Sequence, residues 1–208
     1  MSVNDFYNDH KNIFWVFGPA AAGKSTFVKK LRKLFLKKGQ SVFCLSDLEK
    51  IIDLLKKDSL FRFHEKIGND QFIIKDSFIY DQSIVEICRT LLIEKNKNKH
   101  DYYIIEVSCG FDEQQEFDLS LERRLELIES SLFKLSKFFY IKNSLSRRRR
   151  LNLKRKKVVK TPENIFNRLF VKDDFEKIEK SNCLDFCILE NMKTKESFNR
   201  RIQNTFQL

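Results

Sequence analysis

The segment Gly18-Pro19-Ala20-Ala21-Ala22-Gly23-Lys24-Ser25-Thr26 fits the pattern G-x-x-x-x-G-K-[ST], and its flanks restrict what it can fold into. Before it, Ile13-Phe14-Trp15-Val16-Phe17 is short, uniformly apolar and β-favouring, the composition of a strand buried on both faces of a parallel sheet. After it, Phe27, Val28, Leu31, Leu34 and Phe35 recur at helical spacing with lysines and an arginine between them, and Gly39 stands where a helix C-terminus takes its glycine. A buried strand running through a glycine-bounded turn into an amphipathic helix is the setting of a phosphate-binding loop, so the chain is expected to bind a nucleoside triphosphate. A chance pattern match in an ordinary strand–turn–helix is the alternative, and this context disfavours it.

The residue types in the loop suit a phosphate chain. Gly18 and Gly23 let the backbone curl so that successive N–H groups, including those of Ala21, Ala22 and Gly23, point at phosphate oxygens. The following helix adds its positive N-terminal end. Lys24 is expected to bridge the β- and γ-phosphates, the Ser25 hydroxyl to enter the shell of a hard cation, Mg²⁺, and Thr26 to lie by the α-phosphate. The expected cofactors are ATP and Mg²⁺.

At 208 residues the chain suits a single domain spanning 1–208 with a sizeable core. Apolar residues make up 42%, Gly and Pro are few, and 21 phenylalanines are available to fill the core. No apolar run approaches the ~20 residues that span a bilayer, and Met1 to Asn12 lacks a signal-like basic and hydrophobic pair of segments. The expectation is a cytoplasmic protein without a membrane partner. Cys44, Cys88, Cys109, Cys183 and Cys187 read as reduced thiols, and the scattered His10, His64 and His100 give no support to a metal site built by the protein alone.

Alternating elements fill the rest. Strand 13–17 leads to helix 24–38, strand 41–46 to a helix from Asp47 to Lys57, and an irregular insertion, 58–82, precedes a helix over 83–96. Strand 102–107, a helix over 119–136, strand 138–141, helix 144–157, a helix from Pro162 to Lys180, strand 184–189 and a final helix from Lys195 complete the reading. This order predicts an α/β fold with a parallel five-stranded sheet covered by helices on both faces. Ligands in such sheets sit beyond the carboxyl ends of the strands, which brings Asp47, just after the second strand, and Glu106, ending the third, to the phosphate loop.

The formal net charge of +11 is concentrated. Nine positive residues and no acid lie between Arg147 and Lys160, leaving +2 for everything else. Proteins that track a nucleic-acid backbone usually spread basic residues over a broad face.

The phosphate loop, an acid after the second strand, an acid ending the third, an arginine-rich helix after the fourth and a fifth strand near the C-terminus together resemble the nucleoside and nucleotide kinase group of small P-loop phosphotransferases. The likeness covers most of the chain in order and length, and only the loop is a strong motif. It implies that 144–160 forms a basic lid over the triphosphate, with Arg147 to Arg150 and Arg155 as candidate clamps, and that 58–82 holds the phosphate acceptor. Guanidinium groups clamp the oxygens of a migrating phosphoryl group well, although a helix presents only two or three of such a run inward, Arg147 with Arg150 or Arg148 with Arg155. A solvated basic helix face is the alternative for this run.

Asp47 is a candidate base for a hydroxyl acceptor or a holder of metal-bound water, and equally a plain helix cap. Glu106 is a candidate for the Mg²⁺ shell with Ser25, or for a structural ion pair. Its being Glu rather than the Asp of many NTPases suits a kinase better than a motor. Arg62 and His64 are candidate acceptor contacts, and Asp81 a partner for a sugar hydroxyl, with surface or structural roles as the alternative. Asp173-Asp174 is placed either across the cleft from the basic helix or at a solvated helix start. The leading function is transfer of the ATP γ-phosphate to a nucleoside, nucleotide or similar small polar acceptor. The others are a kinase acting on a nucleic-acid base or end, gripped through 147–160, and a nucleotide-binding regulatory protein with slow hydrolysis.

Overall fold

A computed structural model describes residues 11–67, 71–112, 114, 116–155, 161–172, 175–176 and 186–190. Five parallel strands form the central sheet: β1 (Ile13–Gly18), β2 (Val42–Ser46), β5 (Tyr102–Ser108), β6 (Ser136–Lys142) and β7 (Phe186–Glu190), in the order β2-β5-β1-β6-β7. The sequence of β1 explains its central place. Successive side chains of a strand leave on opposite faces, and because all of them are apolar, both faces can be buried. Ile13, Trp15 and Phe17 enter one core with Ile84, Ile87 and Leu91 of helix α3 (Phe78–Asn96) and with Leu121 and Leu125 of α4 (Leu121–Glu126). Phe14 and Val16 enter the other with Phe27, Val28, Leu31 and Phe35 of α1 (Lys24–Lys37). The expected parallel sheet with helices on both faces is therefore present.

Helix α2 (Asp47–Lys57) starts and ends where the sequence places it, and Ile51 and Leu55 pack against Ile79 in a smaller cluster with Phe63 and Tyr80. The insertion is more ordered than expected. It contains an antiparallel hairpin, β3 (His64–Ile67) with β4 (Gln71–Ile74), and α3 begins at Phe78 rather than residue 83. The helix expected over 119–136 is two short ones, α4 and α5 (Ser130–Lys134), because Glu129 turns extended between them (ψ 134°). The basic helix α6 spans Leu145–Leu153, shorter than 144–157, and α7 spans Glu163–Leu169. Asp173-Asp174, residues 156–160 and the helix expected from Lys195 lie outside the described residues. No helix among the described residues is long and apolar enough to cross a membrane.

Two glycines are fixed by close approach. A Cβ on Gly18, whose φ is +147°, would stand 2.6 Å from the Ile141 carbonyl oxygen on neighbouring β6, so only glycine lets β1 end there. A Cβ on Gly110 would stand 2.0 Å from the Leu169 carbonyl oxygen, which seats α7 against the exit of β5.

Candidate functional site

The loop after β1 is a compact turn. The Ala22 N–H donates to the Pro19 carbonyl at 3.2 Å, Ala21 takes a left-handed φ of +61° and Gly23 one of +109°. Ala20 and Ala21 are buried beneath Phe166, Leu169 and Phe170 of the α7 region, while Asn143, following β6, donates to the Ala22 carbonyl at 3.3 Å. The loop is thus held from two sides. Helix α1 opens on Lys24 with no acidic residue in its first turn, leaving its positive end uncompensated by the helix itself.

Lys24 is buried, and its ammonium donates to the Gly18 carbonyl at 2.8 Å and the Pro19 carbonyl at 3.0 Å. Burial pushes its pKa down, while the nearby Glu106 and Asp47 carboxylates push it back up. Ser25, exposed at the loop's end, donates its hydroxyl to Glu106 Oε1 at 2.7 Å. Glu106 reaches the loop because β5 lies beside β1, with Glu106 in register with Val16 on one side and Ser46 on the other. Ser25 and Glu106 together present oxygen donors, which fit a hard divalent cation.

Asp47 directly follows Ser46, so the pairing of β2 with β5 sets it beside Glu106 at the carboxyl edge of the sheet. It is the first residue of α2, behind the N-cap Ser46. One carboxylate oxygen accepts the Leu48 N–H at 2.7 Å and the other accepts the Ser108 N–H at 2.5 Å. Burial raises its pKa to about 6, against the opposing pull of Lys24, the Ser108 N–H and Arg124. Lys24, Asp47, Glu106 and Ser25 therefore form one group at the strand ends, assembled from three strands and two helix starts.

Arg124 joins this group, and sequence reasoning missed it. It is 2% exposed on α4, its Nη1 donates to Asp81 at 3.4 Å, and its guanidinium lies over the Tyr80 ring at 5.6 Å. Burial lowers its pKa, opposed by Asp47 and Asp81. The signal was its spacing: Leu121, Arg124 and Leu125 fall on one helix face, and the two leucines face the core. Asp81, in the first turn of α3, also accepts a fork from Arg123, at 2.7 Å from Nη2 and 3.1 Å from Nε. Tyr80 is held neutral, its pKa raised to about 12 by burial.

Arg62 and His64 stand apart from this group. Arg62 is exposed, with its guanidinium over the Phe63 ring, whereas His64 is buried with Nδ1 3.0 Å from Asp58, a carboxylate that also accepts the Arg62 and Phe63 N–H groups. They fasten the turn into the hairpin. The arginine run divides by residue. Arg148 is buried and donates to the Asn143, Phe170 and Val171 carbonyls, Arg149 donates to Asn167, and Arg150 is exposed. Arg147 is half-buried, with its buried Nε unbonded among the described residues. Arg155, just past α6, interacts electrostatically with both Glu106 and Lys24; burial lowers its pKa and Glu106 opposes that.

Comparison with known proteins yields a likeness of fold. No protein-family model matches the chain, and no curated protein sequence matches it at significance. Among solved structures it is similar to a sugar kinase from Janibacter sp. HTCC2649 in unliganded form, with 11% identity, a TM-score of 0.50 and 93% of each chain covered. It is also similar to TT1252 from Thermus thermophilus, with 17% identity, a TM-score of 0.50, 95% of this chain and 97% of that one covered. The likeness is one of α/β fold, and it extends over nearly the whole length of the chain.

Proposed function

We propose that the chain is an ATP- and Mg²⁺-dependent P-loop phosphotransferase acting on a small hydroxyl-bearing acceptor. The observation that carries this reading is the buried Asp47 carboxylate set beside the buried Lys24 at the carboxyl ends of the strands. A carboxylate with a pKa of about 6 is ionised at neutral pH yet basic enough to take a proton from an attacking hydroxyl. In the reaction the acceptor oxygen bonds to the γ-phosphorus, and its proton passes to Asp47. The bond from the γ-phosphorus to the bridging oxygen breaks with its electron pair going to ADP. Lys24 exchanges its Gly18 and Pro19 carbonyls for phosphate oxygens, and the loop N–H groups and the start of α1 hold the rest of the phosphate chain.

The Ser25 hydroxyl and Glu106 are the residues that would hold Mg²⁺, which when bound supplies positive charge against the phosphate oxygens. Arg155 is the favoured lid residue, because it already shares the field of Lys24 and Glu106. The acceptor site is assigned to the side of Asp47 that faces Tyr80, Asp81 and Arg124. The sugar kinase of similar fold is in keeping with a hydroxyl acceptor. Incubating the protein with γ-labelled ATP and a pooled panel of nucleosides, nucleotides, sugars, hydroxy acids and oligonucleotides tests the reading. Label is expected in one small-molecule class, dependent on Mg²⁺ and on Lys24. Label in none of them, or label transfer that persists in Lys24→Ala, overturns it.

A further inference from the structure

Arg124 is a charged side chain withdrawn almost completely from water, yet it spends little of its bonding capacity on the protein. A guanidinium carries five N–H donors. Among the described residues, one of them is engaged, Nη1 to Asp81, at a length of 3.4 Å that is long for a charge-assisted bond. Nε, which is buried, has no partner among the described residues. Nε and Nη2 form one edge of the planar group, the edge suited to taking two oxygens of a carboxylate or phosphate side by side. A buried donor without a partner is costly, and a charged one more so, which calls for a reason to keep it.

The surroundings make that edge attractive to an anion. Arg123 and Arg124 share the carboxylate of Asp81, and Arg123 has Glu126 as a second partner at 3.4 Å, whereas the ion pair of Arg124 among the described residues is the long one to Asp81. The other acid in the field of Arg124 is Asp47, which ceases to balance it on taking up a proton. The Tyr80 ring supports one guanidinium face and keeps water from it. Arg124 also stands at a useful place: it shares its electrostatic surroundings with Asp47, which in turn shares those of Lys24.

Building on the phosphotransferase reading, we propose that Arg124 determines acceptor specificity by receiving an oxyanion of the acceptor on its Nε–Nη2 edge while Asp47 takes the proton of the hydroxyl to be phosphorylated. The acceptor is therefore a small hydroxylated anion, a polyhydroxy carboxylate or a polyol phosphate, and not a neutral sugar or nucleoside. An anion held at Arg124 places a hydroxyl a few bonds away at Asp47 and aligns it for attack, so that one contact supplies both affinity and orientation.

Calorimetric binding of paired probes to the nucleotide-free protein tests this: glycerate against glycerol, an aldonic acid against its alditol, and glycerol 3-phosphate against glycerol. At least one anionic probe is expected to bind tenfold or more tightly than its neutral partner, and the carboxylate and phosphate arms tell which oxyanion is read. Arg124→Gln is expected to lose that preference. Arg124→Lys, which keeps the charge without the fork, is expected to lose most of it and carries the test if the glutamine variant does not fold. Equal binding of neutral and anionic probes, binding of neither, or a preference unchanged in both variants overturns the proposal. ATP binding in the same samples separates the two readings: nucleotide bound with no anion preference refutes this inference alone, and anion bound without nucleotide refutes the kinase reading.

Discussion

Lys24 and Asp47 carry opposite charges in surroundings that disfavour either charge alone. Burial drives the lysine pKa down and the aspartate pKa up to about 6, and each partly relieves the other. Because the folded pKa of Asp47 lies above its usual 3.8, the native state binds the proton more tightly than the unfolded chain. The contribution of this group to stability therefore grows as pH falls through about 6 and is full below about 3.8; at neutral pH the ionised carboxylate costs on the order of 3 kcal/mol. Groups kept charged at such a cost cluster at functional sites. Replacing Lys24 by Ala is expected to lower ATP turnover at least about 100-fold while moving Tm by about 4 °C or less. Steady-state kinetics and a melting curve check both. Asp47 and Glu106 were legible in the sequence because each stands at the carboxyl end of an apolar strand, and in a parallel sheet those ends share one edge. Arg124 was not, because its charge suggests solvent, and only its spacing with Leu121 and Leu125 placed it on the buried face.

Among the elements, α6 carries the clearest division of labour. Arg148 ties the residue after β6 to the end of α7 through three carbonyls, and Asn152 bonds both the N–H and the carbonyl of Thr161. These contacts hold the base of the basic segment. Arg148→Ala is expected to destabilise the fold by roughly 3 kcal/mol, since it strands buried carbonyls. Arg155→Ala is expected to lower turnover tenfold or more with little change in stability, and denaturant unfolding beside kinetics distinguishes the two. The nucleic-acid alternative makes its own demand. A grip through this segment requires oligonucleotide affinity to fall steeply and log-linearly with salt. With Arg148 directed inward and Arg149 bonded to Asn167, we expect weak binding and a shallow slope; a steep slope abolished by substituting Lys154, Lys156 and Lys157 would contradict the lid. The run of four arginines looked uniform in sequence because a helix wheel says which residues share a face but not which neighbour that face meets. The hairpin was missed for a related reason: β3 carries His, Glu and Lys and lacks the apolar alternation that marks a strand.

At the scale of the molecule, the order of strands and helices was readable because the five parallel strands are short apolar runs separated by helices. The register was not readable, and it is the register that forms the site. Pairing Ser46 with Glu106, and Glu106 with Val16, gathers residues that end or follow β1, β2 and β5 at one edge of the sheet. Helix α4, inserted between β5 and β6, then brings Arg124 into the field of Asp47. The central claim is that this gathering makes Asp47 the base for phosphoryl transfer, and the pH dependence of kcat/KM for the identified acceptor, in wild type and Asp47→Asn, tests it most directly. Wild-type activity should rise about tenfold per pH unit below a midpoint near 6 and then level, as ionisation of Asp47 requires. The Asn variant should fall by about 100-fold or more on the plateau and lose the inflection. An Asp47→Asn profile with the wild-type rate and the same inflection would contradict the account.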